Sequence, residues 1–590
     1  MGQFFKFLFA SCLGMLLAIA LLFGIGAIVI GQIASSADQP KEVKANTVLH
    51  LTLDQPIPEQ TNNTDIDPFQ FERQDALGLG AMVDAIERAK EDDDIKGVFI
   101  EADQLNGAGM ATASVLRDAL ADFKNSGKFV VAYAKYYSQG AYYLASTADS
   151  LYINPLGLVD FRGPSAQIPF FKDMLDKIGV NMQVYYAGKF KGATEPYRFN
   201  EMSEQNRMQI RSYLSDIYEV MLQDLSASRG LSTDELRRLA NEYVGIDPVD
   251  AQSAGMVDGV EHRDVALDEL RSRLGLEEDE EINKISIADY AKSNPADKDY
   301  SIKDKIAIVY AEGTIVDGKG GVGMIGDKKY VEYIREARQD DGVKAIVLRV
   351  NSPGGSAMAS ENIWRELTLA KEAGKPVVVS MGDYAASGGY YISAPADSIF
   401  AEPNTLTGSI GVFLLIPDAS ELMEDKLGIH FDTVKTGDLS VGISPFFPMS
   451  PQEQRIMQNR TEKMYETFLA RVSEGRSMSR DSVHAIAQGR VWTGKAAIDV
   501  GLVDDLGGLD RALASAATLA DLEEYRITDY PKVKDPLQQL MEELLGEENV
   551  RSEVMLKKEM GEWYPYYRHF KQIQDSKGAQ ARLPFIVPFN

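Results

Sequence analysis

A serine hydroxyl set between a strand and a helix, with glycines on its C-terminal side, is an arrangement on which acyl transfer can be built. It occurs in AASGGYY, Ala385 to Tyr391, where Ser387 follows an apolar run and Gly388 and Gly389 leave room for a substrate backbone. A second turn, NSPGGS from Asn351 to Ser356, also follows a strand-like run and precedes a helical one. There the amides of Gly354 and Gly355 can face an anionic oxygen. Either turn alone reads equally well as an ordinary turn using glycine for its dihedrals. Together they supply a nucleophile and a set of amides, but no base. The histidines, His50, His262, His430, His484 and His569, are scattered without metal-ligand spacing, and no Walker-type loop is present. No metal and no cofactor is expected, and a Ser-His-Asp triad is disfavoured, so a serine enzyme here needs another base.

The elements that would hold these turns are written twice. MGDYAASGGYYISAPADSIFAEP from Met381 overlies AKYYSQGAYYLASTADSLYINP from Ala134, with Ser387 falling on Gln139. At the same offset ARQDDGVKAIVLRVN from Ala337 overlies AKEDDDIKGVFIEAD from Ala89, and Gly411 falls on Gly163. With small shifts, VGLVDDLGG at Val500 echoes AGMVDGV at Ala254, and IHFDTVKTG at Ile429 echoes VNMQVYYAG at Val180. The repeat predicts an N-terminal signal anchor and spacer over 1–45, a first α/β repeat over 46–275 and a second over 301–530. Between the repeats, 276–300 is acidic and proline-interrupted, a linker with one short helix, and 531–590 is a helical tail whose role is unreadable. In the second copy KIAIVYAEG, VKAIVLRVNS, KPVVVSMGD, DSIFAEP and IHFDTVKTG read as strands separated by amphipathic segments. Such alternation predicts a mostly parallel, layered α/β architecture. Ser450-Pro451-Gln452-Glu453 has the form of a capping box opening a helix that buries Met457, Met464, Phe468 and Val472.

At 590 residues the chain exceeds one core. Its 61 basic and 88 acidic residues give a net charge of −27, spread along the chain, which argues against a nucleic-acid partner. The single cysteine, Cys12, leaves the body without a disulfide or thiolate chemistry. Phe7 to Ile33 carries no charge, enough to cross a hydrocarbon core of about 30 Å and longer than a cleaved signal peptide needs. Lys6 on its N-terminal side favours an inside N-terminus and a body outside the cytoplasm, on a single-pass inner or plasma membrane anchor.

VNSPGGSAMAS, MGDYAASGGYYIS and TLTGSIG, in that order, resemble the long, tandem-repeat form of the signal peptide peptidase A (protease IV) family, over nearly the whole chain. The resemblance implies two tandem Clp protease/crotonase-like domains, a membrane-anchored serine peptidase with a Ser/Lys dyad, and a homotetramer around a central chamber. It implies hydrophobic peptide substrates, among them signal peptide remnants. In that family the lysine lies in the first copy, in a Tyr-Lys-Ser-Ala-x-Glu-Pro-like phrase. Here the phrase is AGKFKGATEPY, which assigns Lys191, with Gly192 in place of the commoner serine. Lys189, two residues earlier, would share a strand face with it, so spacing leaves the choice open, and Lys189 is held as a solvated or substrate-facing cation. Ser409 of the TGSIG turn is implied to hydrogen-bond the lysine amine, although on sequence it is equally a turn serine bonding its own backbone.

The repeat adds an independent argument. Aligning Gly188 with Gly437 brings Lys191 onto Ser440, while Leu105 and Asn106 fall on Pro353 and Gly354. The second copy has the nucleophile without the lysine, and the first has the lysine without nucleophile or glycine turn. A site within either copy would be dead, so one composite site is expected. In it Ser387 attacks, Lys191 accepts its proton, and the amides of Gly388 and of Gly354 or Gly355 hold the oxyanion. An ordinary lysine pKa of about 10.4 leaves the amine protonated near neutrality, so burial must disfavour the charged form by about 4 kcal/mol. The rival readings are a crotonase-like acyl-CoA enzyme and a non-catalytic membrane scaffold.

Overall fold

A computed structural model describes residues 41–63, 76–295, 299–533 and 579–582, with a few isolated positions besides. The expected anchor over Phe7 to Ile33 lies outside the described residues but for a few positions, and so does the expected helical tail but for 531–533, Met560 and 579–582, of which Gln580–Arg582 is a strand and not a helix. Among the described residues no helix is long and apolar enough to cross a membrane.

The first copy contributes strands β1 (Thr47–Leu51), β2 (Ile95–Glu101), β3 (Phe129–Ala134), β4 (Ser150–Ile153), β5 (Asn181–Ala187), β6 (Gly259–Val260) and β7 (Lys284–Ser286). All but β5 form one parallel sheet in the order β6-β4-β3-β2-β1-β7. Alternate residues face opposite sides of a strand, and both sides of this sheet are covered. Val48, Phe99 and Val131 enter one core with Leu270, whereas Leu49, Val98, Ile100 and Val130 enter the other. β7 lies within the stretch expected as linker and extends this sheet by one strand, followed by the helix Ile287–Ser293.

The second copy repeats the plan with β8 (Lys305–Glu312), β9 (Thr314–Val316), β10 (Met324–Gly326), β11 (Val343–Ser352), β12 (Gly354–Ser356), β13 (Val377–Ala386), β14 (Ser398–Ala401), β15 (Leu406–Gly408), β16 (Val412–Asp418), β17 (Val491–Thr493), β18 (Asp505–Leu506) and β19 (Arg526–Tyr530). Its main sheet runs β17-β15-β13-β11-β8-β19, with β14 and β18 branching from β13, and it is parallel except where β15 meets β17. Ile306, Val347 and Val378 face one core and Ala307, Leu348 and Val379 the other.

A third sheet joins the copies in the order β10-β9-β12-β20-β16-β5, where β20 is Gln580–Arg582. β5 pairs antiparallel with β16 along its whole length, from Asn181 opposite Asp418 to Ala187 opposite Val412. The strand β20 (Gln580–Arg582) comes from the C-terminal tail.

The expected strand IHFDTVKTG is corrected: 429–437 has no strand structure and is largely exposed. The echo with β5 is real in sequence, but a strand forms where an edge offers its backbone groups to pair. β5 has β16; the first-copy equivalent of β16, residues 164–170, is extended and makes no strand pairing either. The helix Pro451–Gly475 does open with the capping box of Ser450 and Glu453. It buries Phe468 and Val472 with Thr461, Tyr465 and Leu469, while Met457 and Met464 are only half-buried.

Candidate active site

β13 ends at Ala386, and the chain turns at Ser387 into the short helix Gly388–Ser393. The turn is sharp: Ser387 has φ 56° and ψ −111°, a conformation that costs a non-glycine residue on the order of 1–3 kcal/mol. Its amide donates to Gly408 O at 2.8 Å, which ties the turn to the end of β15. Ser409, next along, is also left-handed at φ 49° and donates its amide to Arg490 O at 2.7 Å. Two strained serines thus face each other across one sheet end, both fully buried.

The lysine arrives from the other copy. Because β5 is zipped to β16, the segment after it crosses the second copy's sheet end, where Phe190 N donates to Gln488 O at 2.8 Å. Gly489 packs so closely that a Cβ there would stand 2.7 Å from Lys191 N. Beyond Lys191 a 3-10 turn, Gly192–Tyr197, is anchored by the buried Glu195 carboxylate, which accepts from Ser203 N, Ser203 Oγ and Asn206 Nδ2. A Cβ at Gly192 would lie 2.5 Å from Asn206 Oδ1, so the glycine found there suits this neighbour.

Lys191, only 2% exposed, ends with Nζ 2.8 Å from Ser387 Oγ, 3.0 Å from Ser409 O and 3.1 Å from Ser409 Oγ. Desolvation alone, with no carboxylate to offset it, pushes the amine well below the ordinary lysine range. A neutral amine has two N–H donors and one lone pair, which matches these three contacts. With the amine neutral, its two N–H groups would go to the Ser409 oxygens and its lone pair would face the Ser387 hydroxyl. Lys189 does not join them: it is exposed, and its ammonium lies 5.2 Å from the Phe190 ring centroid.

The glycine turns converge on the same hydroxyl, but the two amides of NSPGGS differ. Gly354 N donates to Ser352 Oγ at 3.1 Å and is committed to its own turn. Among the described residues no side-chain acceptor holds Gly355 N or Gly388 N in this way, and Gly355 faces Ala581 across the third sheet. Gly354 matters for what it lacks. At φ +97°, a Cβ on it would stand 2.7 Å from Gly388 N and 2.1 Å from Ala581 O of β20. Sequence reasoning missed β20 altogether, although the small residues of Ala579-Gln580-Ala581 were there to be read.

Further contacts fix one copy on the other. Asp383, on β13, accepts from Gly109 N at 3.0 Å, Thr112 N at 2.9 Å and Thr112 Oγ1 at 2.8 Å, capping the first-copy helix Met110–Asn125. Glu59 of the first copy pairs with Arg349 on β11, both nearly inaccessible, at 2.7 Å. In the first copy Gln139 stands where Ser387 stands in the second, and its carbonyl accepts Gly163 N at 2.8 Å. Its side chain holds a loop. Among the described residues no cluster of histidine, cysteine or carboxylate could hold a metal ion.

Comparison with known proteins agrees with this two-copy organisation. The model of Peptidase family S49 matches twice, over residues 122–277 and 369–523. "Protease 4" of Haemophilus influenzae is 39% identical over 449 residues, 75% of this chain and 72% of that protein. "Protease 4" of Salmonella typhi is 38% identical over 473 residues, covering 79% and 76% respectively. The chloroplastic "Serine protease SPPA" of Arabidopsis thaliana is 32% identical over 493 residues, covering 82% and 70%.

Proposed function

The chain belongs to peptidase family S49 as a tandem-repeat serine peptidase, and from that premise we propose that it cleaves peptides with a Ser387/Lys191 dyad assembled from its two copies. The observation that carries this reading is the buried Lys191 amine, 2.8 Å from Ser387 Oγ and without a carboxylate partner. Ser387 Oγ attacks the scissile carbonyl while neutral Lys191 takes its proton. Lys191 then protonates the leaving amine, and water drawn through the same amine hydrolyses the acyl-enzyme. The amides of Gly355 and Gly388 hold the oxyanion, each contributing about 3 to 4 kcal/mol, with Gly354 bare beside them. Ser409 is a positioning residue that directs the lysine lone pair at Ser387.

The substrates in this reading are hydrophobic peptides, including signal peptide remnants. The apolar segment Phe7 to Ile33 anchors the chain and concentrates membrane-derived peptides near the site, with the body outside the cytoplasm. A homotetramer also belongs to the proposal. What supports an assembly is the unpaired couple of 164–170, whose residues alternate in exposure as a strand's do, and 429–437. Joined between chains they would repeat the β5–β16 joint head to tail, an interface that gives a ring where its rotation closes.

Ser387→Ala and Lys191→Ala are expected to abolish hydrolysis of a hydrophobic peptide, and Lys189→Ala to retain it. A serine-reactive phosphonate should label Ser387 in the native enzyme. An active Lys191→Ala enzyme sinks the dyad. Absence of labelling favours a scaffold, and CoA-dependent turnover favours the acyl-CoA reading.

A further inference from the structure

We propose that Glu59, carried by the first copy, is a positioning residue for Ser387: its carboxylate holds a bulge in β13 and so shapes, from across the joint between the copies, the strand end on which the nucleophile sits. The inference rests on Ser387 as the nucleophile of the dyad reading above, and it ties the site to both copies a second time.

The bulge is written in the strand register. β11 and β13 pair in step from Ile346 opposite Val377 to Val350 opposite Met381, but Ser352 then lies opposite Ala385. The surplus backbone falls at Gly382, Asp383 and Tyr384, just before the Ser387 turn. A bulge bends its strand and re-aims the side chains that follow. It also leaves ladder groups unpaired, and something must pair them.

Asn351, opposite the bulge, takes one of these groups: its Oδ1 accepts Tyr384 N at 3.1 Å. An amide side chain must be oriented to accept there, and Glu59 orients it, because Glu59 Oε1 accepts Asn351 Nδ2 at 3.0 Å. The same carboxylate accepts Arg349 Nε on Oε2 at 2.7 Å and Arg349 Nη2 on Oε1 at 3.2 Å. Arg349 Nη1 in turn donates to Ser380 Oγ at 2.8 Å and Met381 O at 3.1 Å, where β13 enters the bulge. One side chain thus grips β11 and both ends of the bulge. Gly382 leaves the room for it, since a Cβ there would stand 2.4 Å from Glu59 Oε1.

The second copy fixes Glu59 from behind. Glu59 N donates to Glu312 Oε1 at 3.0 Å, and Glu312 Oε2 accepts Asn63 Nδ2 at 2.6 Å. The grip is reciprocal, because Asp383, inside the bulge, accepts Gly109 N and Thr112 N from the first copy. The first copy, which lacks the nucleophile, is built otherwise. At the position of Arg349 it has Glu101, which turns to His50 and Arg263 of its own copy, and β2 pairs with β3 in step up to Glu101 opposite Tyr133. The network therefore belongs to the reacting copy and is not a requirement of the fold.

Glu59 and Arg349 are 5% and 3% exposed, so substrate touches neither, and a positioning role shows in kcat and not in KM. The test combines urea melts, hydrolysis of a chromogenic hydrophobic peptide and the rate at which a serine-reactive phosphonate labels Ser387. Glu59→Met alone strands a buried guanidinium, so it is paired with Arg349→Met, which puts apolar side chains in place of the ion pair and should return the melt close to wild type. That double variant should still lose about tenfold in kcat and in labelling rate, with KM within about twofold, because Asn351 has lost its acceptor. Glu59→Gln with Arg349→Met keeps an oxygen for Asn351 Nδ2 and should recover both rates to within about threefold of wild type. Asn351→Ala, which leaves the ion pair whole, should show the same loss as the Met double and decides the matter if that double fails to fold. The proposal is overturned if Asn351→Ala keeps wild-type kcat, if the Met double recovers activity along with stability, or if the Gln double is no faster than the Met double. An active Lys191→Ala sinks the dyad alone, since these variants are read on Ser387, whereas a wild type that neither hydrolyses peptide nor takes up the phosphonate removes both.

Discussion

One methyl group at Gly354 tests the oxyanion geometry. In Gly354→Ala the new Cβ falls 2.1 Å from Ala581 O, 2.7 Å from Gly388 N and 2.9 Å from Ala386 O, on a backbone at φ +97°. The left-handed backbone alone costs about 1–2 kcal/mol. The overlap adds a different penalty, because the methyl occupies the space through which a substrate oxygen reaches Gly388 N. Losing one oxyanion donor costs about 3 to 4 kcal/mol, or roughly 10²–10³ in kcat. Gly374 provides the control: it sits at φ +82° with nothing within 4 Å of a Cβ, so Gly374→Ala carries the backbone strain without the obstruction. In denaturant melts both variants should lose stability, Gly354→Ala more than Gly374→Ala because its methyl also overlaps backbone atoms. On a chromogenic hydrophobic peptide, Gly354→Ala should lose at least 10² in kcat/KM while Gly374→Ala stays within about twofold of wild type. If Gly354→Ala loses no more activity than Gly374→Ala, the assignment of Gly355 and Gly388 as oxyanion donors is wrong.

Ser409→Ala removes one acceptor from the Lys191 amine, and about 1.4 kcal/mol for that bond predicts a tenfold fall in kcat. Since the lost bond favoured the charged amine more than the neutral one, the acid limb of the pH–rate profile should move to lower pH, and Ser409→Thr should restore it. Lys191 also sets a slope in stability. Its folded pKa is depressed, so between that value and 10.5 the unfolded chain binds the extra proton and wild-type stability rises with pH. Lys191→Met should remove that rise in urea melts across pH. Glu312 works in the opposite direction, because burial and the neighbouring Glu59 raise its carboxyl from 4.5 to about 8. Its contribution is full below pH 4.5 and is lost as pH rises to about 8. Glu312→Gln should flatten stability over that window.

The parallel sheets were legible because their strands are buried on both faces and announce themselves as continuous β-branched runs, twice over. Ser387 and the glycine turns were legible for a related reason: a strand-to-helix junction with paired glycines is a local pattern. The distinction between Gly354 and Gly355 was not, since it depends on Ser352 Oγ accepting one amide and leaving the other. Lys191 over Lys189 came from the likeness of AGKFKGATEPY to a family phrase. Spacing could not choose, because the choice is made by the chain leaving β5 and turning before Lys191, so that one side chain goes inward and the other to solvent. The misread strand at 429–437 has the converse cause. Its residues match β5 in pattern, but strand formation is decided by a partner edge, which is not a property of the segment.

Under the proposed dyad, duplication suits a lysine base. A neutral lysine needs a dry site free of carboxylates, yet the fold's own polar groups must be satisfied around it. At Lys191 the dryness comes from two sheet ends closing on each other, and Ser409, strained into a left-handed turn, satisfies the amine. A lysine at the equivalent second-copy position, now Ser440, would lie in an exposed segment and stay protonated. Conversely, a serine at Gln139 would face no base and would release the Gly163 loop that the glutamine carbonyl holds. Under the proposed dyad each copy keeps the half of the site that its side of the β5–β16 joint can support, and among the described residues that joint is made once.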